Sequence, residues 1–303
     1  MKSSQSAINI SPLKITKVIS YNDYMIYTNA HKQTNLEKLT IEKNLIPEAK
    51  TEFHVNGYCY VCKAYVDFLV DFNHCYNIDG FVVPNWRERL VCPDCHLNNR
   101  MRAAIHIFHS EFHPETQSRI YITEQTSFLY KKMSQCFTHL CGSEYIGNSV
   151  RNGSCNKNGI RNEDLTCLSF DNNQFDYILS FDILEHIPNY TKALKECYRC
   201  LKPGGAFFFS VPFERTSEKN IVRAQLSSEG EILNLLPPEY HENPIRPEGC
   251  LCFYHFGWNL IDELREAGFK DSKVILYWSK EYGYLGGDQL FIAGRKIPEK
   301  NFS

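Results

Sequence analysis

The sequence has no long apolar run, little net charge and no glycine cluster of the kind that many nucleotide-binding proteins carry. No stretch approaches the roughly 20 apolar residues that a membrane helix needs, and the first twenty residues lack the apolar core of a secretory signal. We therefore expect a soluble, cytoplasmic protein without a membrane partner. A formal net charge of −2 gives no whole-molecule electrostatic argument for nucleic-acid binding.

The sequence does contain enough apolar material for a core, and it is rich in cysteine. Its 303 residues are 43% hydrophobic, which is enough for one large domain and one small one. Four of the thirteen cysteines form a paired pattern, and we read the other nine as buried thiols in a reducing compartment. We predict an N-terminal arm over 1–50 (loose, or with one short helix), a small separate cysteine module over 51–105, and an α/β domain over 106–303.

Strand and helix patterns alternate from Arg119 onward, which predicts an α/β sheet with crossover helices. The strands we expect are 119–123, 138–141, 175–181, 206–211, 272–278 and 288–294. We expect Ser127 to cap a helix beginning at Phe128 and Asn259 to cap the last helix. Cys197 and Cys200 lie at core positions of another helix, and we read them as packing residues.

Two short cysteine pairs predict a metal site in the module. Cys59 and Cys62 are followed thirty residues later by Cys92 and Cys95, and each pair lies in a turn-like context. Two such knuckles make a tetrahedral set of four sulfurs that suits a structural Zn²⁺. The alternatives are two disulfides or free thiols, or a ligand set in which His74, Cys75 or His96 replaces one cysteine.

The segment "DLTCLSFDNNQFDYILSFDILEHIPNYTKALKECYRCLKPGGAFFFSVPF", residues 164–213, resembles class I S-adenosylmethionine-dependent methyltransferases of the type 11 kind. The pattern D-x-L-E-H after one strand and L-K-P-G-G before the next carry the resemblance. It continues into "YHFGWNLIDELREAGF" and covers roughly 119–296. The resemblance implies a Rossmann-like, doubly wound, seven-stranded sheet, S-adenosylmethionine as cofactor, and methyl transfer as the activity.

The loop after the first strand of this region departs from the family pattern. Members carry an acid and then Gly-x-Gly, whereas this chain has Thr123-Glu124-Gln125-Thr126-Ser127. We expect Glu124 to accept from the cofactor's ammonium group, with Gln125 and Thr126 donating from their side chains. Because S-adenosylmethionine has no pyrophosphate to cradle, the missing glycines cost less than in a dinucleotide enzyme.

Acidic residues after the next strands complete the predicted cofactor set. Glu144, followed by Tyr145, has the spacing of an acid that accepts from ribose hydroxyls. By the resemblance, Asp164 accepts from the adenine amino group and the Leu165 N–H reaches the ring. Ser180, Phe181 and Asp182 end a central strand, where the methionine part of the cofactor and the acceptor meet. The alternative for each acid is a helix cap or a solvated loop charge.

Three histidines are candidate catalytic bases: His186 after a strand, His241 in a proline-containing insert (236–249), and His255 before the last helix. Each is equally consistent with a structural role. We expect the insert to cover the substrate pocket and its charged residues to favour a polar acceptor.

The acceptor we favour is a small molecule or a glycan-type compound. RNA is the alternative, although residues 51–105 hold five Lys/Arg against six Asp/Glu and only Arg87, Arg89, Arg100 and Arg102 are grouped. A non-catalytic protein that uses this fold for interaction is a further alternative. A nicotinamide oxidoreductase is disfavoured, because pyrophosphate needs the missing glycines. No protein partner can be deduced.

Overall fold

The computed structural model describes residues 10–78, 80–243, 245 and 247–298. Its strands are β1 (Ile15–Val18), β2 (Phe53–Cys59), β3 (Ala64–Val70), β4 (Tyr76–Ile78), β5 (Phe81–Val83), β6 (Arg119–Ile122), β7 (His139–Gly142), β8 (Phe175–Phe181), β9 (Leu201–Ser210), β10 (Ile221–Val222), β11 (Ala224–Leu226), β12 (Ile232–Asn234), β13 (Tyr240–His241), β14 (Cys250–Leu251), β15 (Tyr254–His255), β16 (Lys273–Ser279) and β17 (Tyr284–Arg295). Its helices are α1 (Tyr21–Ala30), α2 (Lys32–Leu45), α3 (Asn99–Phe112), α4 (Phe128–Ser134), α5 (Tyr190–Cys200) and α6 (Asn259–Glu266), with a 3₁₀ turn at Leu184–His186.

Seven strands form the central sheet in the order β1-β16-β17-β9-β8-β6-β7. The strands β7, β6, β8 and β9 are parallel, and β17, β16 and β1 continue the sheet by antiparallel pairing. The predicted Rossmann-like, seven-stranded α/β fold is confirmed, and each predicted strand is present with ends shifted by a few residues. None of the described helices is long and apolar enough to cross a membrane.

Apolar layers cover both faces of the sheet. Along β9, Phe207 and Phe209 belong to the layer beneath α5 and α6, whereas Phe208 belongs to the layer beneath α3 and α4. This alternation follows from the two-residue period of a strand. Cys197 and Cys200 are fully buried in α5, so the expectation that they are packing residues is confirmed.

The N-terminal segment differs from the expected loose arm or single short helix. Within the described residues 10–50 it contributes the edge strand β1 and two helices. The Glu42 carboxylate of α2 accepts from the Trp278 indole (2.7 Å) and from the N–H groups of Gly286 and Gly287 (2.8 and 3.0 Å). Contacts to residues distant in sequence hold the segment. Its weak local periodicity could not predict these contacts or the helices that make them.

The cysteine-bearing segment packs directly on the β16–β17 hairpin. Its small core, which includes Phe68, Trp86 and Leu90, also contains Leu285 from β17. The Tyr58 N–H donates to the Glu281 carbonyl at 2.6 Å, between the ends of the two strands of that hairpin. Its contacts therefore join it to the sheet, whereas we expected a separate unit; the boundaries 51–105 and 106–303 stay a prediction.

Two predicted helix caps have different outcomes. Ser127 does cap α4, since its hydroxyl accepts from the Tyr130 N–H at 3.0 Å. Asn259 does not cap α6: the N-cap position is Trp258, and the Asn259 side chain instead accepts from the Asn220 N–H and donates to Glu263. The Asn259 side chain thus fixes the backbone of Asn220, directly before β10.

Candidate functional site

The predicted cofactor residues follow the carboxyl ends of β6, β7 and β8, which are neighbours in the sheet. The chain places β7 on one side of β6 and β8 on the other. The strand order therefore reverses at β6, and ligands of open α/β sheets bind beyond the carboxyl ends of the strands at such a reversal.

The glycine-free loop after β6 is held by Glu144. One oxygen of this carboxylate, Oε1, accepts from the Gln125 N–H (2.8 Å), the Thr126 N–H (2.9 Å) and the Thr126 hydroxyl (2.8 Å). All described hydrogen bonds to the Glu144 side chain reach Oε1. Glu144 therefore shapes the loop with one oxygen and keeps Oε2 as the acceptor for a ligand, whereas we had expected both oxygens to serve the ribose.

Gly142, at the end of β7, allows this loop to come close. A Cβ at this position would lie 2.7 Å from the Glu124 carbonyl oxygen and 2.5 Å from the Tyr130 ring. We expected glycine within the loop itself, whereas the glycine that the loop requires lies on the adjacent strand. A glycine immediately before "SEY" was the available signal.

The Gln125 side chain binds other protein groups, whereas we had expected it to donate to the cofactor. Its Nε2 donates to the Gly159 carbonyl (3.0 Å), and its Oε1 accepts from the Arg161 N–H (2.8 Å). It thus ties the first loop to the segment 155–162, which pairs with Glu144 through a parallel bridge at Asn162. Tyr145 is half exposed beside this bridge.

Asp164, like Glu144, uses one carboxylate oxygen for hydrogen bonds to its own loop. Its Oδ1 accepts from the Thr166 N–H (2.8 Å) and hydroxyl (2.7 Å), which closes a tight turn. The described hydrogen bonds leave Oδ2 for a ligand. The Leu165 side chain is buried in the core, so its backbone is the part that remains for binding.

The end of β8 is already occupied by protein contacts. Ser180 is fully buried and accepts from the Thr123 hydroxyl at 3.0 Å, and Phe181 packs in the core. Asp182, in the left-handed region (φ 55°), accepts from Arg87 at 2.8 Å and lies 3.2 Å from Arg100. Arg87 and Arg100 come from the cysteine-bearing segment and were not among the predicted cofactor residues.

The charges at this edge shift the acidity of two carboxyls. Burial alone would raise the pKa of Asp182, but Arg100 and Arg87 hold it below its ordinary value. Burial raises the pKa of Glu124 to about 7, a rise that its hydrogen bond to Ser127 and the charge of Arg100 only partly offset. Glu124 is therefore poised to gain or lose its charge near neutral pH.

His186 and His241 face one buried carboxylate, that of Glu185. The distance to Glu185 Oε1 is 3.7 Å from His186 Nε2 and 3.5 Å from His241 Nδ1. The rings are 4.9 Å apart and nearly perpendicular. The insert 236–249 thus brings His241 to the turn that follows β8.

Glu239 connects the other predicted histidine to this cluster. Its Oε1 lies 3.0 Å from His241 Nε2 and 3.1 Å from His255 Nε2, and its Oε2 lies 3.1 Å from Arg223. Interaction with Glu185, opposed by burial and reinforced by Glu239, raises the pKa of His241 to about 9. In the ligand-free chain these carboxylates therefore favour the protonated form of His241, whereas we had expected an ordinary pKa.

The four cysteines lie together as predicted. The distance from the Cys59 sulfur to that of Cys95 is 3.8 Å and from Cys62 to Cys92 it is 3.7 Å, and the four sulfurs lie within 4.8 Å of one another. Four sulfurs about 2.3 Å from a tetrahedral zinc are roughly 3.8 Å apart. The cluster therefore has the dimensions that zinc requires, and all four cysteines are free thiols in the structure.

The two knuckles repeat the same turn. Lys63 and His96 follow the second cysteine of each pair, have φ values of 58° and 59°, and donate their N–H groups to the carbonyls of Cys59 and Cys92. This backbone places the two sulfurs of each pair on one side. His96 thus serves the turn through its backbone, which answers the alternative in which it replaces a cysteine.

Arg102 is fully buried beside the cluster. Its guanidinium donates to the carbonyls of Leu90, Tyr282 and Gly283, and it lies 3.7 Å from the centre of the Phe68 ring. The ion pairs found among the described residues do not include Arg102. Since a buried charge needs an opposite charge nearby, four thiolates around one Zn²⁺, with a net charge of −2, would supply it.

A cavity of about 300 Å³ lies away from these sites, between the N-terminal helices and β16. Tyr27, Lys38, Trp278 and Asp288 are among the residues that line it, and none of the predicted cofactor residues does.

Comparisons with known proteins identify the central region. The sequence model of a family described as "Methyltransferase domain" matches residues 126–209. The ubiquinone biosynthesis O-methyltransferase of Pseudomonas savastanoi pv. phaseolicola is 38% identical over 69 residues, which are 23% of this chain and 28% of that protein. The protein of the same name from Coxiella burnetii is 33% identical over 82 residues, 26% of this chain and 33% of that protein. The chain thus spans a third or less of the length of these relatives.

A solved S-adenosylmethionine-dependent methyltransferase from Mesorhizobium loti aligns with 63% of this chain and 97% of its own, at 15% identity and a TM-score of 0.38. The family match is the finding that carries weight. Residues 126–209 are thus similar to a methyltransferase domain, and the predicted resemblance to class I methyltransferases is confirmed in this region.

Proposed function

We propose that the protein transfers a methyl group from S-adenosylmethionine to a small-molecule or glycan-type acceptor. The observation that carries the proposal is the arrangement of Glu144 and Asp164 at the reversal of strand order. Each carboxylate uses one oxygen to hold its own loop, and the described hydrogen bonds leave the second oxygen available. A nucleoside offers the donors that these acceptors require.

The residues present fit the cofactor. Glu144 would accept from ribose hydroxyls, Asp164 from the adenine amino group, and Glu124 from the cofactor's ammonium group. S-adenosylmethionine supplies an electrophilic methyl group when bound, and the chain's task is to align it with the acceptor. Arg87 and Arg100, paired with Asp182, lie beside the position where the methionine part would lie.

A hydroxyl oxygen is the acceptor atom that we favour. The relatives from Pseudomonas and Coxiella are named as O-methyltransferases. The cluster of Glu185, His186 and His241 begins four residues beyond the end of β8, where the acceptor would approach, and can hold or move the hydroxyl proton. His255 would act as a positioning residue, because it contacts the same oxygen of Glu239 as His241 does.

RNA is a weaker candidate, because the grouped arginines are engaged within the protein. Arg87 and Arg100 pair with Glu88 and Asp182, and Arg89 pairs with Asp71. Arg102 is fully buried. None of these four guanidiniums projects as an unpaired charge toward a phosphate backbone, so this group does not form the local basic patch that RNA binding needs.

We further propose that Cys59, Cys62, Cys92 and Cys95 hold a structural zinc ion. The sulfur spacing, the repeated turns and the buried charge of Arg102 support this assignment. A set of four thiolates leaves no position for water, so the ion would stabilise the small core and take no part in chemistry.

Isothermal titration calorimetry of the zinc-loaded full chain tests the proposed function. An enzyme of this kind should bind both S-adenosylmethionine and S-adenosylhomocysteine at one site per chain, with dissociation constants of micromolar order. The absence of binding for both ligands, in protein with intact secondary structure, would favour the non-catalytic alternative. Binding of mixed-sequence RNA that weakens steeply with salt would restore RNA as the acceptor.

A further inference from the structure

The Glu185 carboxylate is buried without a described hydrogen bond. The residue is fully inaccessible to solvent, and neither of its oxygens has a hydrogen-bond partner in the described part of the chain. The histidine nitrogens at 3.5 and 3.7 Å are too distant or misaligned for hydrogen bonds. A buried carboxylate without hydrogen bonds needs a cation beside it, which protonated His241 supplies in the ligand-free chain and a metal ion would supply in its place.

Both neighbouring histidines are oriented as metal ligands are. The distal nitrogen of His186, Nδ1, lies 2.8 Å from the Leu251 carbonyl, and the distal nitrogen of His241, Nε2, lies 3.0 Å from Glu239 Oε1. Each contact orients its ring so that the other nitrogen faces Glu185, where it can bind a metal ion once it carries no proton. Metal-bound histidines characteristically donate their second N–H to a carbonyl or a carboxylate in this way.

We propose that Glu185, His186 and His241 bind one divalent metal ion. One oxygen of Glu185, Nε2 of His186 and Nδ1 of His241 all lie within 4.8 Å of one another. Two imidazoles and one carboxylate suit zinc and first-row ions such as Mn²⁺, Fe²⁺ and Co²⁺. Three protein ligands leave at least one coordination position open, so this site is of the catalytic type, unlike the closed cysteine cluster.

A second possible ligand set, made of Glu239, His241 and Cys252, is less suitable. The Glu239 oxygens are already taken by His241, His255 and Arg223. Glu239 therefore supports the site from outside by orienting His241, and its loss should weaken metal binding without abolishing it.

The open position would receive an oxygen of the acceptor. A divalent ion lowers the pKa of a bound hydroxyl and holds the resulting oxyanion for attack on the methyl carbon. The hydroxyl proton leaves to solvent, the carbon–sulfur bond of the cofactor breaks, and the new bond is oxygen–carbon. This role rests on the proposed function, whereas metal binding itself does not.

Manganese titration followed by electron paramagnetic resonance tests the site. The full chain is first loaded with zinc and freed of loosely bound metal; Mn²⁺, a hard ion, then discriminates against the cysteine cluster. Wild type should bind one Mn²⁺ per chain. Loss of an outer-shell partner typically costs 10- to 100-fold in metal affinity, so Glu239→Gln should lose about that much and Glu185→Gln or His241→Gln at least as much.

His139→Gln, which changes an exposed histidine at the start of β7, is the matched control and should bind Mn²⁺ as wild type does. Melting temperatures without Mn²⁺ identify variants that fail to fold. If Glu185→Gln is unfolded, His186→Gln and His241→Gln decide the question.

Wild-type protein that binds no Mn²⁺ at millimolar concentration, or Glu185→Gln and His241→Gln variants with wild-type affinity, would overturn the proposal in favour of a His241–Glu185 ion pair. The calorimetry of S-adenosylhomocysteine separates the two claims. Mn²⁺ binding without cofactor binding would leave the metal site standing and remove the proposed function, and the reverse result would remove only the metal site.

Discussion

The cysteine cluster and the carboxyl edge of the sheet are two groups of ligand-type side chains with opposite designs. In the cluster, Cys59 and Cys92 are fully buried and the two turns have the same backbone hydrogen bond. The buried guanidinium of Arg102 would balance the negative charge of the proposed zinc–thiolate cluster. At the edge, Glu144 and Asp164 each use one carboxylate oxygen to hydrogen-bond a loop. Neither oxygen of Glu185 has a hydrogen-bond partner among the described residues. Spare acceptor capacity beside the sheet is what the proposed cofactor site requires, whereas a closed set of four thiols is what the proposed structural zinc site requires.

The largest effect should come from breaking the closed cluster. Replacing Cys59 with Ser removes one of four thiolates, and zinc bound by such sites contributes on the order of 10 kcal/mol to folding. We expect bound zinc, measured by atomic emission on the purified chain, to fall from one ion per chain to none, with loss of the folded cysteine-bearing segment. Cys75→Ser, an exposed cysteine nearby, is the control and should keep its zinc. A Cys59→Ser protein with full zinc content would contradict the assignment.

Removing the charge beside the cluster should have the next largest effect. Arg102→Met would leave the proposed thiolate cluster without its balancing cation and three carbonyls without a donor, and breaking a buried pair costs about 3 to 5 kcal/mol. Urea unfolding should report a loss of this size in zinc-loaded protein. Arg265→Met removes an exposed pair with Asp262 and should change the free energy of unfolding by less than about 1 kcal/mol. Equal effects of the two substitutions would remove the electrostatic argument.

At the open edge, Glu144→Gln separates the two roles of one side chain. The amide oxygen can still accept from the Gln125 and Thr126 N–H groups, but its NH₂ group cannot accept from ribose. Because a hydrogen bond to a charged group contributes about 1.5–3 kcal/mol, calorimetry should show S-adenosylhomocysteine affinity falling roughly 10- to 100-fold while the melting temperature stays close to that of wild type. Glu231→Gln, an exposed substitution, should leave affinity unchanged. Unchanged affinity in Glu144→Gln would show that ribose binds elsewhere.

The smallest predicted effect depends on pH through Glu124, whose pKa burial raises to about 7. The carboxylate that accepts from the cofactor's ammonium forms only above this value, so S-adenosylhomocysteine affinity should rise by up to about tenfold from pH 6 to pH 8. In ligand-free protein the sign is opposite: folding favours the protonated form, so stability should decline as pH rises from about 4.5 to about 7. Glu124→Gln should flatten both profiles. A wild-type profile as flat as that of the variant would exclude this role.

The cysteine cluster and the carboxyl edge of the sheet could be predicted from the sequence to different degrees. The cysteine pairs and the α/β strands could be predicted because each depends on residues a few positions apart. The role of Gly142 could not, since it becomes apparent only when β7 lies beside β6. Arg87, Arg100 and the joining of His241 to Glu185 were inaccessible for the same reason, because they depend on how distant segments pack. The N-terminal helices escaped prediction because α2 is fixed by buried polar contacts of Glu42 and not by a strong apolar face.

The central claim is that a nucleoside binds at the edge formed by Glu144 and Asp164, and a crystal structure of the zinc-loaded chain with S-adenosylhomocysteine tests it most directly. We predict ribose hydroxyls within hydrogen-bond distance of Glu144 Oε2 and the adenine amino group beside Asp164 Oδ2, with Oε1 of Glu144 still bound to the first loop. Density for the ligand elsewhere, or an edge closed by the Gln125 side chain with no ligand bound at saturating concentration, would contradict it.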